Sequence, residues 1–213
     1  MNIDTIFYYI SIYAVPLIFA ITLHEAAHGY AARYFGDNTA YMMGRISLNP
    51  VRHIDPMGTI GLPVLLLVLG SPIMFGWAKP VPVNFSALRN PKQDMRYVAA
   101  AGPAANLLMA IAWALSLRIL ISMGVSNDVL LNMCMVGVTI NVVLMLFNLL
   151  PILPLDGGRI LASLLPNHAA YKYSQLEPYG MMIVVVLLVS GIITPIIFGG
   201  ADTISKFILG FFF

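Results

Sequence analysis

Four long apolar runs decide the solvent in which this chain can fold. They cover about residues 6–32, 95–123, 129–150 and 180–198. A helix needs roughly 20 apolar residues to cross a bilayer. In lipid every backbone N–H and C=O must be satisfied within the chain, so runs of this kind are helices. Composition agrees: 60% of residues are hydrophobic and 9% charged, too little charge for a soluble domain of this size. The expected fold class is an all-α polytopic membrane protein with about four transmembrane helices. The N-terminus carries no Lys or Arg before the first run and shows no small-residue cleavage site, so that run reads as a retained helix.

Two further segments add to this frame. Residues 57–75 are apolar but interrupted by Gly58, Gly61, Pro63, Gly70 and Pro72. They read as a re-entrant or short membrane hairpin. Residues 39–50 carry β-formers punctuated by Gly44 and Pro50, and predict a short β segment. No repeat or soluble linker marks a boundary, so residues 1–213 read as a single membrane-embedded domain. The basic stretches 33–52 and 79–96 are expected on the cytoplasmic side. That puts the N-terminus outside, with Arg118 as the exception. The net charge of +2 is spread over loops, with no basic stripe for nucleic acid. The single cysteine, Cys134, excludes an internal disulfide and reads as a small apolar packer.

The first run contains His24-Glu25-Ala26-Ala27-His28. Histidines four apart project from one helix face, close enough to bind one tetrahedral metal ion. Glu25 beside them can reach a metal-bound water as general base. The chain has four histidines in all, so a chance H-E-x-x-H match is rare. An unpartnered glutamate inside a membrane span also costs several kcal/mol.

A catalytic zinc needs a third protein ligand. Candidates are Asp4, Asp37, His53, Asp55, Asp94, Asp128, Asp156, Glu177 and Asp202. Asp156 follows the third run in a segment broken by Pro151 and Pro154 and continued by Gly157-Gly158. Irregular backbone at membrane depth must be buried in protein or line a wet cavity, which suits a metal ligand. Equally, Asp156 is placed to N-cap a short helix from 157 to 165. The residues alone leave both open, and capping with one oxygen would not prevent ligation with the other. Asn106 and Asn141 read as interhelical hydrogen bonds. His53 with Asp55 reads as a turn near the site, and His168 as a solvated loop residue.

Taken together, these residues resemble the site-2 protease family of intramembrane metalloproteases. The resemblance rests on H-E-x-x-H in the first helix and on Leu155-Asp156-Gly157 after Asn148-Leu149-Leu150-Pro151. Asn49-Pro50, His53-Ile54-Asp55-Pro56-Met57-Gly58 and Ala101-Gly102-Pro103-Ala104-Ala105-Asn106 extend it over most of residues 20–165. The chain looks like a compact member without a PDZ domain. The resemblance implies one zinc held by His24, His28 and Asp156, with Glu25 as catalytic base. It implies that Asn148 helps hold the substrate carbonyl or its oxyanion, a role an amide donor in a dry site can fill. It further implies transmembrane protein or peptide substrates in the lipid bilayer, and an integral, multi-pass protein of the bacterial cytoplasmic membrane.

The expected reaction is hydrolysis of peptide bonds in or near transmembrane segments, with the β segment at 40–48 pairing with an unwound substrate. Two other classes fit parts of the pattern. A membrane metal transporter would also carry intramembrane His and Asp, but would need a ladder of ligands along the span. A catalytically idle membrane-protein binder would have no need to keep Glu25 beside both histidines and Asp156.

Overall fold

The computed structural model describes residues 3–61 and 78–213 of the protein. Eight α-helices occur among them: α1 (Ile3–Tyr34), α2 (Thr39–Met42), α3 (Pro91–Ser122), α4 (Asp128–Asn148), α5 (Asp156–Leu164), α6 (Asn167–Ser174), α7 (Glu177–Val189) and α8 (Thr194–Phe212). Among the described residues, four stretches are long and apolar enough to cross a membrane: Phe7–Tyr34, Pro91–Ser122, Asp128–Asn148 and Thr194–Phe212. Helix boundaries follow local chemistry. Pro91 and Pro195 sit in the first turns of α3 and α8, where a missing N–H costs nothing. The Asn127 side chain accepts from Leu130 N–H at 3.1 Å and caps α4.

Helices α1, α3 and α4 pack on one another, α5 packs on α3, and α8 lies against α4 and α3. Ala110 and Ala114 of α3, Val138, Val142 and Met145 of α4, and Ala201 and Ile208 of α8 form the core of this bundle. Small residues let membrane helices approach closely, since lipid supplies no hydrophobic drive to bring them together. Most other large apolar side chains, such as Phe19, Leu108, Val186 and Phe207, face outward. That is the expected distribution for a protein whose surroundings are hydrocarbon.

Two expectations need revision. The fourth crossing is not 180–198. The chain leaves its helix after Val189, turns through Gly191 at φ +73°, and re-enters at Thr194. The apolar residues 207–212 form the end of α8. Lys206 and Asp202 pair at 2.7 Å one turn apart along that helix. The β segment at 39–50 is absent, and no strand occurs among the described residues. Asp37 Oδ1 accepts from both the N–H and the hydroxyl of Thr39, starting a helical turn, and Gly44 at φ +63° then reverses the chain. This local side-chain-to-backbone turn at Asp37 outweighs the β-propensity of Thr39 and Tyr41. Of the expected hairpin at 57–75, only a short helical turn at Pro56–Gly61 falls within the described residues.

Candidate metal centre

Helix α1 presents His24 and His28 on one face, with their Nε2 atoms 3.1 Å apart. Each ring is fixed from behind. His28 Nδ1 donates to the Val98 carbonyl at 2.7 Å, and His24 Nδ1 to Asn106 Oδ1 at 2.6 Å. Both partners belong to α3. Hydrogen bonding at Nδ1 leaves the lone pair at Nε2, the pattern metal-binding histidines use.

Asp156 completes the group. It is the first residue of α5, and the N-cap position is taken by Leu155 instead. The two roles left open by the sequence are thereby separated. The carboxylate turns away from the helix end to face the histidines, Oδ2 at 3.2 Å from His24 Nε2 and Oδ1 at 3.3 Å from His28 Nε2. A carboxyl group binds a metal ion as its anion.

The segment 149–155 reaches this place because glycines let it. A Cβ on Gly157 would lie 2.1 Å from the Leu149 carbonyl oxygen, and one on Gly180 of α7 would lie 1.5 Å from that of Leu153. Arg159 of α5 pairs with Glu177 of α7 at 2.8 Å, and the Tyr173 hydroxyl donates to the Pro151 carbonyl at 2.9 Å. Gly180→Ala should therefore force α7 off the loop. Overpacking of this kind costs about 1–3 kcal/mol, to be read as a lower unfolding midpoint in denaturing detergent.

The donors fit a metal ion. With both Nδ1 atoms engaged as donors, two Nε2 lone pairs and a carboxylate converge on one point. Buried Asp156 Oδ2 has no hydrogen-bond partner. Three acceptors facing one another repel unless a cation lies between them. Among the described residues, His24, His28 and Asp156 are the one group of three or more such side chains able to hold a metal, their ligand atoms all within 4.8 Å of one another. Space is kept for it on the α3 side. A Cβ at Gly102 would sit 2.4 Å from His28 Nε2 and 2.6 Å from His24 Nε2. Pro103 beside it removes the N–H that would bond Ala99, loosening α3 there.

The centre opens into a cleft of about 440 Å³, lined also by Glu25, Val81, Asn148 and Arg159. Glu25 Oε2 accepts from the Val81 N–H at 2.7 Å. The segment 78–84 carries that N–H across the cleft. Arg45 donates to the carbonyls of Lys79 and Pro80, and Asp37 Oδ2 accepts from Asn84 N–H, holding it in place. Asn148 Nδ2 donates to the Leu144 carbonyl of its own helix at 3.0 Å, which occupies one of its two hydrogens.

The structure therefore brings together all five residues singled out in the sequence, and leaves others apart. His53 is buried away from the group, its Nε2 donating to the Ser47 carbonyl at 2.8 Å. Asp37 anchors 78–84. Three contributors were missed: Gly102, Asn106 and the backbone of Val81. Gly102 and Asn106 stand four apart in α3, on one face, and both fall in the Ala101–Asn106 motif. That spacing was the available signal. Nothing local marks Val81.

The Peptidase family M50 model matches residues 119–191, a stretch that includes Asn148 and Asp156. "Putative zinc metalloprotease YwhC" of Bacillus subtilis is 39% identical over 204 residues, covering 90% of this chain and 88% of that protein. The "Putative zinc metalloprotease Rip2" proteins of Mycolicibacterium smegmatis and Mycobacterium tuberculosis are each 30% identical, over 81% and 80% of this chain. The chain spans 64% and 62% of their lengths. No solved structure matches. Identity at the level of the Bacillus protein, sustained over nearly the whole of both chains, is common descent, and the chain belongs to peptidase family M50, the site-2 protease family.

Proposed function

We propose that the protein is a zinc-dependent intramembrane endopeptidase. It hydrolyses peptide bonds in or beside transmembrane segments of other membrane proteins, acting as one domain over residues 1–213 in the bacterial cytoplasmic membrane. The observation that carries this reading is the convergence of two Nε2 lone pairs and a carboxylate beside Glu25, in a cleft among apolar helices.

His24, His28 and Asp156 would hold one zinc per chain. Bound there, zinc supplies a Lewis acid and lowers the pKa of water towards about 7. Glu25 takes the proton from the attacking water on its carboxylate and returns it to the departing amine. The second Nδ2 hydrogen of Asn148 is available to the oxyanion as charge develops. Val81 N–H donates to one Glu25 oxygen and leaves the other for the proton. A transporter would require further ligands along a path, and the described residues offer one compact group.

The test is zinc content of the detergent-purified protein, wild type beside Asp156→Ala. About one zinc per chain is expected, largely lost in a folded Asp156→Ala variant. Folded wild type without zinc would remove the hydrolytic reading and favour the idle binder.

A further inference from the structure

Asn106 lies in the middle of α3 and is fully buried, as is Asn141 of α4. Each makes an interhelical hydrogen bond, as the sequence suggested. Their orientation says more. Asn106 Nδ2 carries two hydrogens, and two acceptors face it: the Ala20 carbonyl of α1 at 3.3 Å and Asn141 Oδ1 at 3.0 Å. Asn141 Nδ2 in turn faces the Gly137 carbonyl at 2.9 Å. A backbone carbonyl only accepts, so Ala20 and Gly137 fix both amides. Turning either round would set oxygen against oxygen in a dry site. Asn106 therefore has only Oδ1 to offer His24, and at 2.6 Å the ring must be the donor.

We propose that Asn106, braced by Asn141, is a positioning residue of the metal centre: it holds His24 as the Nδ1–H tautomer, with its Nε2 lone pair turned towards His28 and Asp156. The inference rests on the zinc-site reading above. His28 obtains the same orientation from a backbone carbonyl, so side-chain changes reach its tautomer only indirectly. His24 depends on one amide. The relay from His24 through Asn106 and Asn141 crosses α1, α3 and α4, so the packing of three helices is registered at one metal-facing nitrogen.

The experiment uses the full-length protein in detergent, as wild type, Asn106→Leu and Asn106→Asp. Three quantities are read: zinc affinity by chelator competition, the histidine tautomers of zinc-free protein by 15N magnetic resonance, and the unfolding midpoint. Both variants lose the donor bonds to Ala20 and Asn141, so both should unfold earlier. Only Asn106→Leu loses the acceptor for His24. It should weaken zinc binding about 10- to 100-fold, the usual effect of removing a ligand's outer hydrogen bond. Its His24 should lose the Nδ1–H signature. Asn106→Asp keeps an acceptor and should retain the tautomer and bind zinc within about threefold of wild type.

Equal zinc affinity in wild type and folded Asn106→Leu would overturn the proposal and leave Asn106 as a packing residue. Parallel losses of zinc in both variants, tracking stability, would overturn it too. If Asn106→Leu does not fold, Asn106→Asp decides alone: loss of zinc or tautomer in the folded aspartate variant sinks the idea. A wild type that binds zinc beside an unaffected Asn106→Leu refutes this inference only, whereas a zinc-free wild type refutes the metal centre itself.

Discussion

Replacing Gly102 by alanine should empty the metal centre while leaving the helix bundle folded. The added methyl carbon would stand 2.4 Å from His28 Nε2 and 2.6 Å from both Nε2 and Cε1 of His24. No pair of heavy atoms tolerates that approach, and the neighbours are not the free ends of flexible side chains. Each ring is tied at Nδ1, one to the Val98 carbonyl and one to Asn106. To make room, the rings must break those bonds or swing their Nε2 atoms away from Asp156. Either movement dismantles the ligand geometry, and zinc affinity should fall by at least about 100-fold, the upper end of what disturbing outer-shell support costs. Helix stability should not suffer by propensity, because Gly→Ala in a helix interior favours the helix by about 1 kcal/mol. The check is zinc content after dialysis, with circular dichroism and the unfolding midpoint as folding controls. Full zinc in folded Gly102→Ala would mean that the ion does not lie between α1 and the Gly102 face of α3.

The second large effect is at Glu25. Glutamine has the same shape, and its carbonyl oxygen can still accept from Val81 N–H, so the segment 78–84 should keep its place. On the proposed mechanism, what is lost is the proton acceptor. Positioned general bases contribute about 10²- to 10⁴-fold, and hydrolysis by Glu25→Gln should drop by that factor or more while zinc content stays at the wild-type level. The measurement is cleavage in proteoliposomes of any transmembrane reporter that the wild type cuts. Wild-type turnover by the variant would take the base role from Glu25. The contrast with Gly102→Ala is diagnostic: one variant keeps the ion and loses the proton transfer, the other loses the ion and keeps the carboxylate.

Much of this site was readable along the chain, and the limit of what was readable follows distance in sequence. Helix geometry puts residues four apart on one face, so His24 and His28 formed a pair on inspection, and Glu25 followed from its place beside them. Apolar run length identified a membrane protein, because lipid admits few ways of satisfying a backbone. The interruption at Pro151 and Pro154 was visible as chemistry before it was visible as a loop.

What acts between elements was not. Whether Asp156 capped its helix or faced the histidines depended on how α5 meets α1, which glycine contacts at 157 and 180 permit. Asn106 and His24 stand 82 residues apart, and no local pattern aims one at the other. The β segment expected at 39–50 lost to an aspartate two residues before Thr39 and a glycine turn after it. The fourth crossing shifted because Gly191 and Pro195 break one apolar run into two helices, only the second long enough to span. The sequence by itself determined that the chain is built of long apolar helices, where the first three of them lie and which face carries the two histidines, since these follow from periodicity and run length over a few turns. Tertiary structure alone decided which way the Asp156 carboxylate faces, the amide beside His24 and the N–H at Glu25, since each is a contact between helices or loops whose approach is set by packing.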